Sequence, residues 1–253
     1  METQGLRAIL IGGASGFARA TAERMAAGGG TVAILDREES AGAEVAKALG
    51  GSWHPCDVLD FEGIEVVINE AVVALGGLDV AVNTAGGGKA GRTLSRSGPF
   101  SLDDFRAVID LNLIGTFNTN RLCAEHMSKN EPNADDERGV LINTASIAAF
   151  EGQIGQVAYT AAKAGVAGMT LTMARDLGSL GIRVNTIAPS LFATGLTARV
   201  TEERAQNLTK DAAFPRRLGK PDEYARLAIA MIENPMLNGD TIRLDGGQRF
   251  APK

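Results

Sequence analysis

The chain is poor in the residues that build disulfide frameworks and metal sites. It has 253 residues but only two cysteines, Cys56 and Cys123, and two histidines, His54 and His126. Two cysteines this far apart form neither a disulfide framework nor a cysteine-based metal motif. We therefore expect no disulfide framework and no bound metal ion.

Long apolar runs and blocks of basic charge are also missing. No stretch approaches the roughly 20 apolar residues of a membrane-spanning helix, and the N-terminus shows no basic segment followed by an apolar run, as a signal peptide would. Acidic residues number 30 against 25 lysines and arginines, which gives a net charge of −5. These absences argue against a membrane or nucleic acid as the main partner. We expect a cytoplasmic protein.

Short apolar stretches alternate along the chain with longer, alanine-rich ones. Seven predicted strands lie at 6–11, 31–36, 52–58, 78–83, 139–146, 182–189 and 240–247. Apolar residues at helical spacing predict helices at 17–28, 40–50, 61–76, 102–129 and 158–178. The strands are apolar throughout, which indicates that both of their faces are covered. The sequence therefore predicts an α/β fold: a Rossmann-type, doubly wound parallel sheet of about seven strands with helices on both faces.

No change of composition and no Pro/Ser-rich linker divides the chain, so we predict one domain over 1–253. Three stretches lack a clear periodicity and are predicted to be long loops, at 86–101, 129–138 and 190–220. Loops of this length are often functional. The first and third follow strands at the carboxyl edge of the sheet, where open α/β sheets bind ligands. We expect 190–220 to border the substrate, with a helix at 197–212 as a candidate cover.

A glycine-rich turn, "IGGASGFA", joins the first predicted strand to the first helix. Gly12, Gly13 and Gly16 allow a tight turn and let the backbone approach a phosphate. The free N–H groups and the dipole at the helix start then favour an anion. The spacing is not G-x-G-x-x-G, because Ala18 stands where a third glycine is expected. A tight turn that binds nothing is the alternative interpretation.

Asp36 ends the second predicted strand, twenty residues after Gly16. A carboxylate at this point can accept hydrogen bonds from both hydroxyls of an adenosine ribose, and it repels a 2′-phosphate. Its presence favours NAD over NADP, although Arg37 follows and could support a phosphate. A strand-end aspartate that caps a helix is the alternative.

Tyr159 and Lys163 lie one helical turn apart and share a helix face. Ser146, at the end of the fifth predicted strand, precedes the tyrosine by thirteen residues. A tyrosine with a pKa of about 10 is a poor base near neutrality, and a neighbouring ammonium would stabilise the phenolate and lower that pKa. Ser146 would stabilise charge on the reacting oxygen. The trio indicates alcohol oxidation or ketone reduction; an ordinary surface pair beside a strand-end serine is the alternative.

The joint pattern resembles the short-chain dehydrogenase/reductase family over essentially the whole chain. The resemblance is carried by "GGASGFA", Asp36, "CDV", "NTAG", Asn112, Ser146, "YTAAK" and "APSLFAT", in the family's order and spacing. Longer stretches such as "INTASIAAFEGQIGQVAY" and "IENPMLNGDTIRLDG" are most similar to the type-2 3-hydroxyacyl-CoA dehydrogenases, also known as type-10 17β-hydroxysteroid dehydrogenases. The resemblance implies an NAD-dependent oxidoreductase of secondary alcohols and ketones, above all 3-hydroxyacyl-CoA and 3-ketoacyl-CoA.

The resemblance also implies roles for individual residues. Tyr159 would be the acid/base, Ser146 would orient the substrate oxygen, and Lys163 would lower the tyrosine pKa and hold the nicotinamide ribose. Asn112 would kink its helix and hold a relay water, and Gln153 would approach the substrate. The implied NAD contacts are Gly12, Ser15, Gly16, Phe17, Asp36, Asp57, Val58, Thr84, Gly86, Tyr159, Lys163, Pro189, Phe192 and Thr194.

Two other functions stay open on the sequence. One is a reductase of 3-oxoacyl carrier-protein substrates, hydroxysteroids or small ketones, although Asp36 speaks against an NADPH-dependent version. The other is a non-catalytic scaffold, which the intact serine, tyrosine and lysine make less attractive as the only role. The family also often forms a four-helix interface from the segment 102–129 and the tyrosine helix, so the resemblance implies a homotetramer with two-fold symmetries.

Overall fold

The computed structural model describes residues 1–195, 197 and 200–252, and seven strands of this part form one parallel sheet. Its order is β3-β2-β1-β4-β7-β8-β9, so the strand order reverses between β1 and β4. β5 and β6 pair separately as a short antiparallel hairpin. The strands are β1 Arg7–Ile11, β2 Thr31–Asp36, β3 Ser52–Pro55, β4 Val80–Asn83, β5 Leu94–Ser95, β6 Gly98–Pro99, β7 Gly139–Thr144, β8 Ile182–Pro189 and β9 Thr241–Leu244.

Helices cover both faces of the sheet, which confirms the predicted doubly wound fold. One face packs against α1 and α8, and the other packs against α3, α5 and α6. The α-helices are α1 Gly16–Ala27, α2 Gly42–Leu49, α3 Gly63–Leu75, α4 Leu102–Ile109, α5 Gly115–Met127, α6 Val157–Gly178, α7 Glu202–Leu208 and α8 Pro221–Glu233. A π-helical segment, Asp110–Ile114, joins α4 to α5, and a 3-10 turn, Ile147–Ala149, follows β7.

The central strands are apolar throughout because two cores meet at the sheet. In β1, Leu10 packs into the core under α1 and α8, while Ile9 and Ile11 pack into the core under α3 and α5. Successive residues of a strand point to opposite faces, so neither face can be polar when helices cover both. Burial on both sides therefore explains the continuous apolar runs in the sequence.

The sequence analysis missed one helix and part of the loop structure. Helix α8 lies where no helix was expected, although Pro221 at its first turn and Glu223, which accepts a hydrogen bond from the Lys220 N–H at 2.8 Å, are ordinary start signals. The predicted loop 86–101 carries the β5–β6 hairpin. Part of the expected helix at 197–212 is present as α7.

The topology brings the carboxyl ends of several strands to one edge of the sheet. Register pairs Ile11 of β1 with Leu35 of β2 on one side and with Asn83 of β4 on the other. Asn83 pairs in turn with Asn143 of β7. The glycine turn, the segment after β4 and the serine after β7 therefore meet at the point where the strand order reverses. Within the described residues, no helix has the length and apolar character needed to cross a membrane.

Candidate active site

A cleft of about 700 Å³ opens at this edge of the sheet. Its volume falls in the range of about 300–1,000 Å³ that ligand pockets occupy. All fourteen residues predicted to contact NAD line it, and so does Ser146. Asn112 and Gln153 do not belong to the lining that the described residues form.

The glycine turn at one end of the cleft leaves a helix start open to an anion. Gly12 and Gly16 have positive φ angles of 78° and 53°, which favour glycine. A Cβ at Gly12 would lie 2.9 Å from the Thr84 hydroxyl oxygen, so no side chain fits there. Ser15 precedes α1 without a side-chain capping bond, and the first turn of α1 carries no acidic residue. This N-terminus fits the pyrophosphate of a dinucleotide.

Asp36 is held in a fixed orientation beside the turn. Its Oδ2 accepts a hydrogen bond from the Ala14 N–H at 3.0 Å, and its Oδ1 accepts one from the Arg37 N–H at 2.8 Å. Each oxygen keeps a second lone pair, so the carboxylate still has room to accept ribose hydroxyls. The Arg37 side chain points to Glu39, with 3.0 Å between Nη1 and Oε1. That ion pair does not involve the Asp36 carboxylate.

The segment after β8 closes the cleft opposite the glycine turn. Thr194 lies so near that a Cβ at Gly16 would be 3.3 Å from its methyl carbon. Thr197 folds back on this segment, and its hydroxyl donates to the Thr194 carbonyl at 2.6 Å. The predicted substrate segment 190–220 also contains Leu196, Ala198 and Arg199, which lie outside the described residues.

Ser146, Tyr159 and Lys163 line the same part of the cleft. Ser146 follows the end of β7 by two residues, and its Oγ accepts a hydrogen bond from the Ala148 N–H at 3.1 Å. Tyr159 and Lys163 project from the first two turns of α6. The Lys163 amine is buried, donates to the Thr144 carbonyl at 2.8 Å and lies 5.8 Å from the centre of the Tyr159 ring.

Burial shifts the pKa values of both titratable groups away from their ordinary values. Burial raises the pKa of Tyr159, and the Ser146 hydroxyl lowers it only in part. Burial also lowers the pKa of Lys163 to about 8. The net effect on Tyr159 is a raised pKa, and the lowering of this pKa by Lys163 stays a prediction. Desolvation dominates, because the ammonium is directed to the Thr144 carbonyl instead of the phenol oxygen.

Asn112 holds the segment that follows β4. It is fully buried in the π-helical segment. Its Nδ2 donates to the Gly87 carbonyl at 2.6 Å and to the Val108 carbonyl at 2.9 Å, and its Oδ1 accepts from the Gly87 N–H at 3.1 Å. A Cβ at Gly86 would lie 2.7 Å from this Oδ1 and 3.2 Å from the Lys163 amine. Asn112 thus positions the loop that separates it from the cleft.

Gln153 lies against the C-terminal segment instead of the cleft. Its Nε2 donates to the Ala251 carbonyl at 3.2 Å, and its backbone N–H donates to the Gln156 side chain at 3.0 Å. The backbone N–H of Ile154 continues this contact by donating to the Pro252 carbonyl at 3.1 Å. The geometry therefore gives no support to the predicted substrate contact of Gln153.

Two residues at the cleft escaped the sequence analysis. Thr144 lines the cleft and contacts Lys163. Tyr224 lies behind the cleft, where its ring stacks on Phe17 at 4.3 Å. The only available signal for Tyr224 was rarity, since the chain has two tyrosines. Rarity alone did not indicate a place in the fold.

The geometry agrees with the similarity of the chain to known proteins. A family profile described as enoyl-(acyl carrier protein) reductase matches residues 12–249. The human protein "3-hydroxyacyl-CoA dehydrogenase type-2" is 49% identical over 99% of this chain and 98% of its own length. The chain belongs to the short-chain dehydrogenase/reductase family. The Drosophila melanogaster protein of the same name is also 49% identical, over 96% of this chain and 97% of its own.

Solved structures of other short-chain dehydrogenase/reductase proteins superpose on nearly the whole chain. The Mycobacterium avium 3-hydroxyacyl-CoA dehydrogenase type-2 has a TM-score of 0.93 at 42% identity, with full coverage of both chains. A 7α-hydroxysteroid dehydrogenase solved with NADH and 7-oxo glycochenodeoxycholic acid has a TM-score of 0.86 at 29% identity, over 98% of this chain and 95% of that one. The family assignment confirms the predicted hydride-transferring oxidoreductase and its NAD(H) cofactor.

Proposed function

We propose that this protein is an NAD-dependent 3-hydroxyacyl-CoA dehydrogenase that uses Tyr159 as its acid/base. The observation that carries the proposal is that Ser146, Tyr159 and Lys163 line one cleft with the glycine turn and Asp36. The substrate class is supported by relatives of nearly equal length, at 49% identity, that are named for 3-hydroxyacyl-CoA.

The reaction divides between the cofactor and three side chains. NAD supplies the hydride acceptor when it is bound. Tyr159 takes the proton of the substrate hydroxyl group while the carbon that bears this hydroxyl loses a hydride. The products are 3-ketoacyl-CoA, NADH and one proton. Ser146 donates a hydrogen bond to the same oxygen and stabilises the charge that develops on it.

Lys163 has to oppose the effect of burial on the tyrosine. Because burial raises the pKa of Tyr159, the phenolate needs a nearby positive charge. The pKa of Lys163, about 8, leaves most of the amine protonated at neutral pH. Its attraction to a phenolate is strong in a site that excludes water. Lys163 is also suited to hold the nicotinamide ribose. Asn112 is suited to keep the Gly86–Gly87 backbone in place beside the Lys163 amine.

Asp36 supports a preference for NAD over NADP. Both of its oxygens are oriented by backbone N–H groups. The 2′-phosphate of NADP would lie close to this carboxylate, and the two negative charges would repel each other. The Arg37 side chain, which would have to neutralise such a phosphate, is paired with Glu39.

Exposed cations beside the cleft support a substrate that carries phosphates. Arg92 and Arg96 lie in the segment 86–101, which begins at Gly86 in the cleft lining and passes Tyr159 at Gly88, where a Cβ would lie 3.4 Å from the tyrosine ring. Both arginines are exposed, and neither forms an ion pair with another described residue. Coenzyme A is polyanionic, and exposed guanidinium groups bind phosphates well.

The first experiment measures NADH formation from 3-hydroxybutyryl-CoA. Tyr159→Phe keeps the ring and removes the acid/base, so we expect turnover to fall by about 10²–10⁴-fold. Binding of NADH, followed by its fluorescence, should stay within about twofold of the original protein. Wild-type turnover by Tyr159→Phe would refute the assignment of the acid/base. An unaltered protein that binds NADH but shows no turnover would favour the non-catalytic scaffold.

A second experiment separates the acyl-CoA substrate from carrier-protein, steroid and small-ketone substrates. The KM for acetoacetyl-CoA should rise about tenfold in an Arg92→Gln/Arg96→Gln variant, because two charged contacts are lost. The KM for acetoacetyl-pantetheine, which lacks the adenosine phosphates, should not change. A 3-oxoacyl carrier protein, a hydroxysteroid or a simple ketone turned over faster than the acyl-CoA would overturn the substrate assignment.

We also propose a homotetramer, because apolar side chains of two neighbouring helices face solvent. Ile114 is exposed at the end of the π-helical segment, Phe117 is exposed at the start of α5, and Leu171 is exposed on α6. Exposed apolar clusters of this kind mark interfaces between subunits. Light scattering of the full chain should give four copies, and Phe117→Glu should yield a smaller species. The cytoplasmic location expected from the sequence stays a prediction, and fractionation of cells tests it.

A further inference from the structure

Tyr224 is a fully buried residue of α8 that lies outside the lining of the cleft. Its hydroxyl oxygen is 2.7 Å from the Thr144 hydroxyl oxygen. Thr144 is the last residue of β7 and precedes Ser146 by two positions. A side chain from the opposite layer of the fold therefore reaches the strand end on which the candidate catalytic serine is placed.

The direction of this hydrogen bond follows from its neighbours. The Thr144 hydroxyl oxygen is also 2.7 Å from the carbonyl oxygen of Asn83, and a carbonyl only accepts. The single hydroxyl hydrogen of Thr144 is thus committed to Asn83, so Tyr224 has to be the donor to Thr144. Two consecutive hydrogen bonds connect α8 to the ends of β7 and β4.

Thr144 is connected at the same time to the amine of Lys163. Its backbone carbonyl accepts the hydrogen bond from Nζ at 2.8 Å. We propose that Tyr224 is a positioning residue: by fixing Thr144 it holds the Lys163 amine where the reaction needs it. This inference rests on the proposed function, in which Lys163 supports the Tyr159 phenolate.

The ring of Tyr224 supports the other wall of the cleft. Phe17 stacks on it with 4.3 Å between ring centres, and Phe192 packs edge-on against Phe17 at 5.1 Å. Both phenylalanines line the cleft. Aromatic pairs in stacked and edge-on arrangements attract each other beyond the apolar area that they bury. Replacing Tyr224 by phenylalanine keeps the stacking and removes only the hydroxyl, which isolates the positioning effect.

If the Tyr224 hydroxyl were only structural, its removal would lower the stability of the fold and nothing else. The chain offers a matched control for that loss of stability. Thr170 of α6 and Thr186 of β8 share a buried hydroxyl pair at 2.6 Å. Thr170→Val deletes this pair on the same helix as Lys163, two turns further along. It removes a buried hydrogen bond as Tyr224→Phe does, but it leaves Thr144 untouched.

The experiment compares Tyr224→Phe with Thr170→Val in the full chain. For Tyr224→Phe we expect kcat for 3-hydroxybutyryl-CoA to fall about tenfold, with KM for NAD within about twofold. The acid limb of kcat/KM should move up by about half a pH unit, because a displaced ammonium stabilises the phenolate less. In cofactor-free protein labelled with ¹³C-lysine, the titration midpoint of the Lys163 signal should fall. Thr170→Val should lower Tm and leave these readouts unchanged.

A tyrosine hydroxyl that serves stability alone would give the opposite result. Equal losses of Tm in both variants, with wild-type kcat, pH profile and Lys163 titration in Tyr224→Phe, would overturn the inference. If Tyr224→Phe does not fold, Thr144→Val and its conservative partner Thr144→Ser replace it, and only the valine variant should show the shifts. An unaltered protein without any turnover would instead refute the proposed function. The two failures are distinguishable because the Lys163 titration can be measured without turnover.

Discussion

Lys163→Met should stabilise the folded protein at neutral pH while it abolishes turnover. The Lys163 amine is buried among groups that solvate it less well than water does, and its one described hydrogen bond goes to the Thr144 carbonyl. Burial lowers its pKa from 10.5 to about 8. The buried Lys163 ammonium therefore lowers the stability of the fold, although the proposed reaction requires it.

The size of the effect follows from the two pKa values. The fall from 10.5 to about 8 corresponds to about 3 kcal/mol of unfavourable folding free energy. Methionine leaves the Thr144 carbonyl without this donor, at a cost of about 1 kcal/mol. The net gain in the free energy of unfolding at pH 7 is therefore about 2 kcal/mol.

The gain should depend on pH in one direction. Below pH 8 the amine is protonated in both the folded and the unfolded chain, so the whole penalty is present. Between pH 8 and 10.5 the unfolded chain binds more protons than the folded one, and the stability of the unaltered protein rises with pH. The advantage of Lys163→Met should shrink across this window and disappear near its upper end.

Urea unfolding of the cofactor-free protein at pH 7 and pH 10 measures both values. Protein concentration has to be held constant, since association also contributes to stability. Lys47→Met, on an exposed position of α2, is the control and should show no pH-dependent gain. A Lys163→Met variant less stable than the original at pH 7, or a gain equal at both pH values, would refute the reasoning.

Three further predictions concern other parts of the molecule. Gly86→Ala should reduce kcat about 100-fold, because the added methyl would lie 2.7 Å from the Asn112 Oδ1 and collide with it. Steady-state assays of NADH formation measure this. Asp36→Ala should raise the kcat/KM ratio for NADP over NAD about tenfold, measured with both cofactors. Glu137→Ala should cost about 3 kcal/mol in urea unfolding, because it leaves the buried Arg183 guanidinium, now 2.6 Å from Glu137, without its carboxylate.

Matched changes separate these effects from general damage. Gly168→Ala adds a methyl to α6 where nothing lies within 4 Å, so turnover should be retained. Glu23→Ala removes the carboxylate of an exposed ion pair and should cost less than about 1 kcal/mol. Wild-type turnover by Gly86→Ala, an unchanged cofactor ratio in Asp36→Ala, or equal costs for Glu23→Ala and Glu137→Ala would each contradict the corresponding prediction.

The fold was largely predictable because its signals are local. Apolar runs identified all seven strands of the parallel sheet, and the alternation with helices implied that both faces are covered. Helix α8 was missed even though Pro221 and Glu223 mark its start. Strand β3 ends at Pro55, earlier than predicted, because the chain beyond it turns at Asp57, whose carboxylate accepts the Leu59 N–H at 2.9 Å.

The candidate site was predictable as a set of residues but less so as a set of contacts. Spacing and resemblance brought Asp36 and Tyr159 to one cleft, because strand ends in a parallel sheet meet at one edge. The contact of Gln153 with Ala251 joins residues almost a hundred positions apart. Such a contact depends on how the C-terminal segment packs, and a pattern along the chain carries no information about it.

The sequence by itself determined which groups meet: the strands and the glycine turn follow from periodicity and composition, and the serine, tyrosine and lysine of the cleft follow from their spacing and the family resemblance. Only the tertiary structure decided how these groups behave. The pKa values of Tyr159 and Lys163 move in directions that depend on burial, and the support from Tyr224 crosses from α8 to β7. Desolvation and long-range hydrogen bonds arise from the packing of distant segments, so they exist only once the chain has folded.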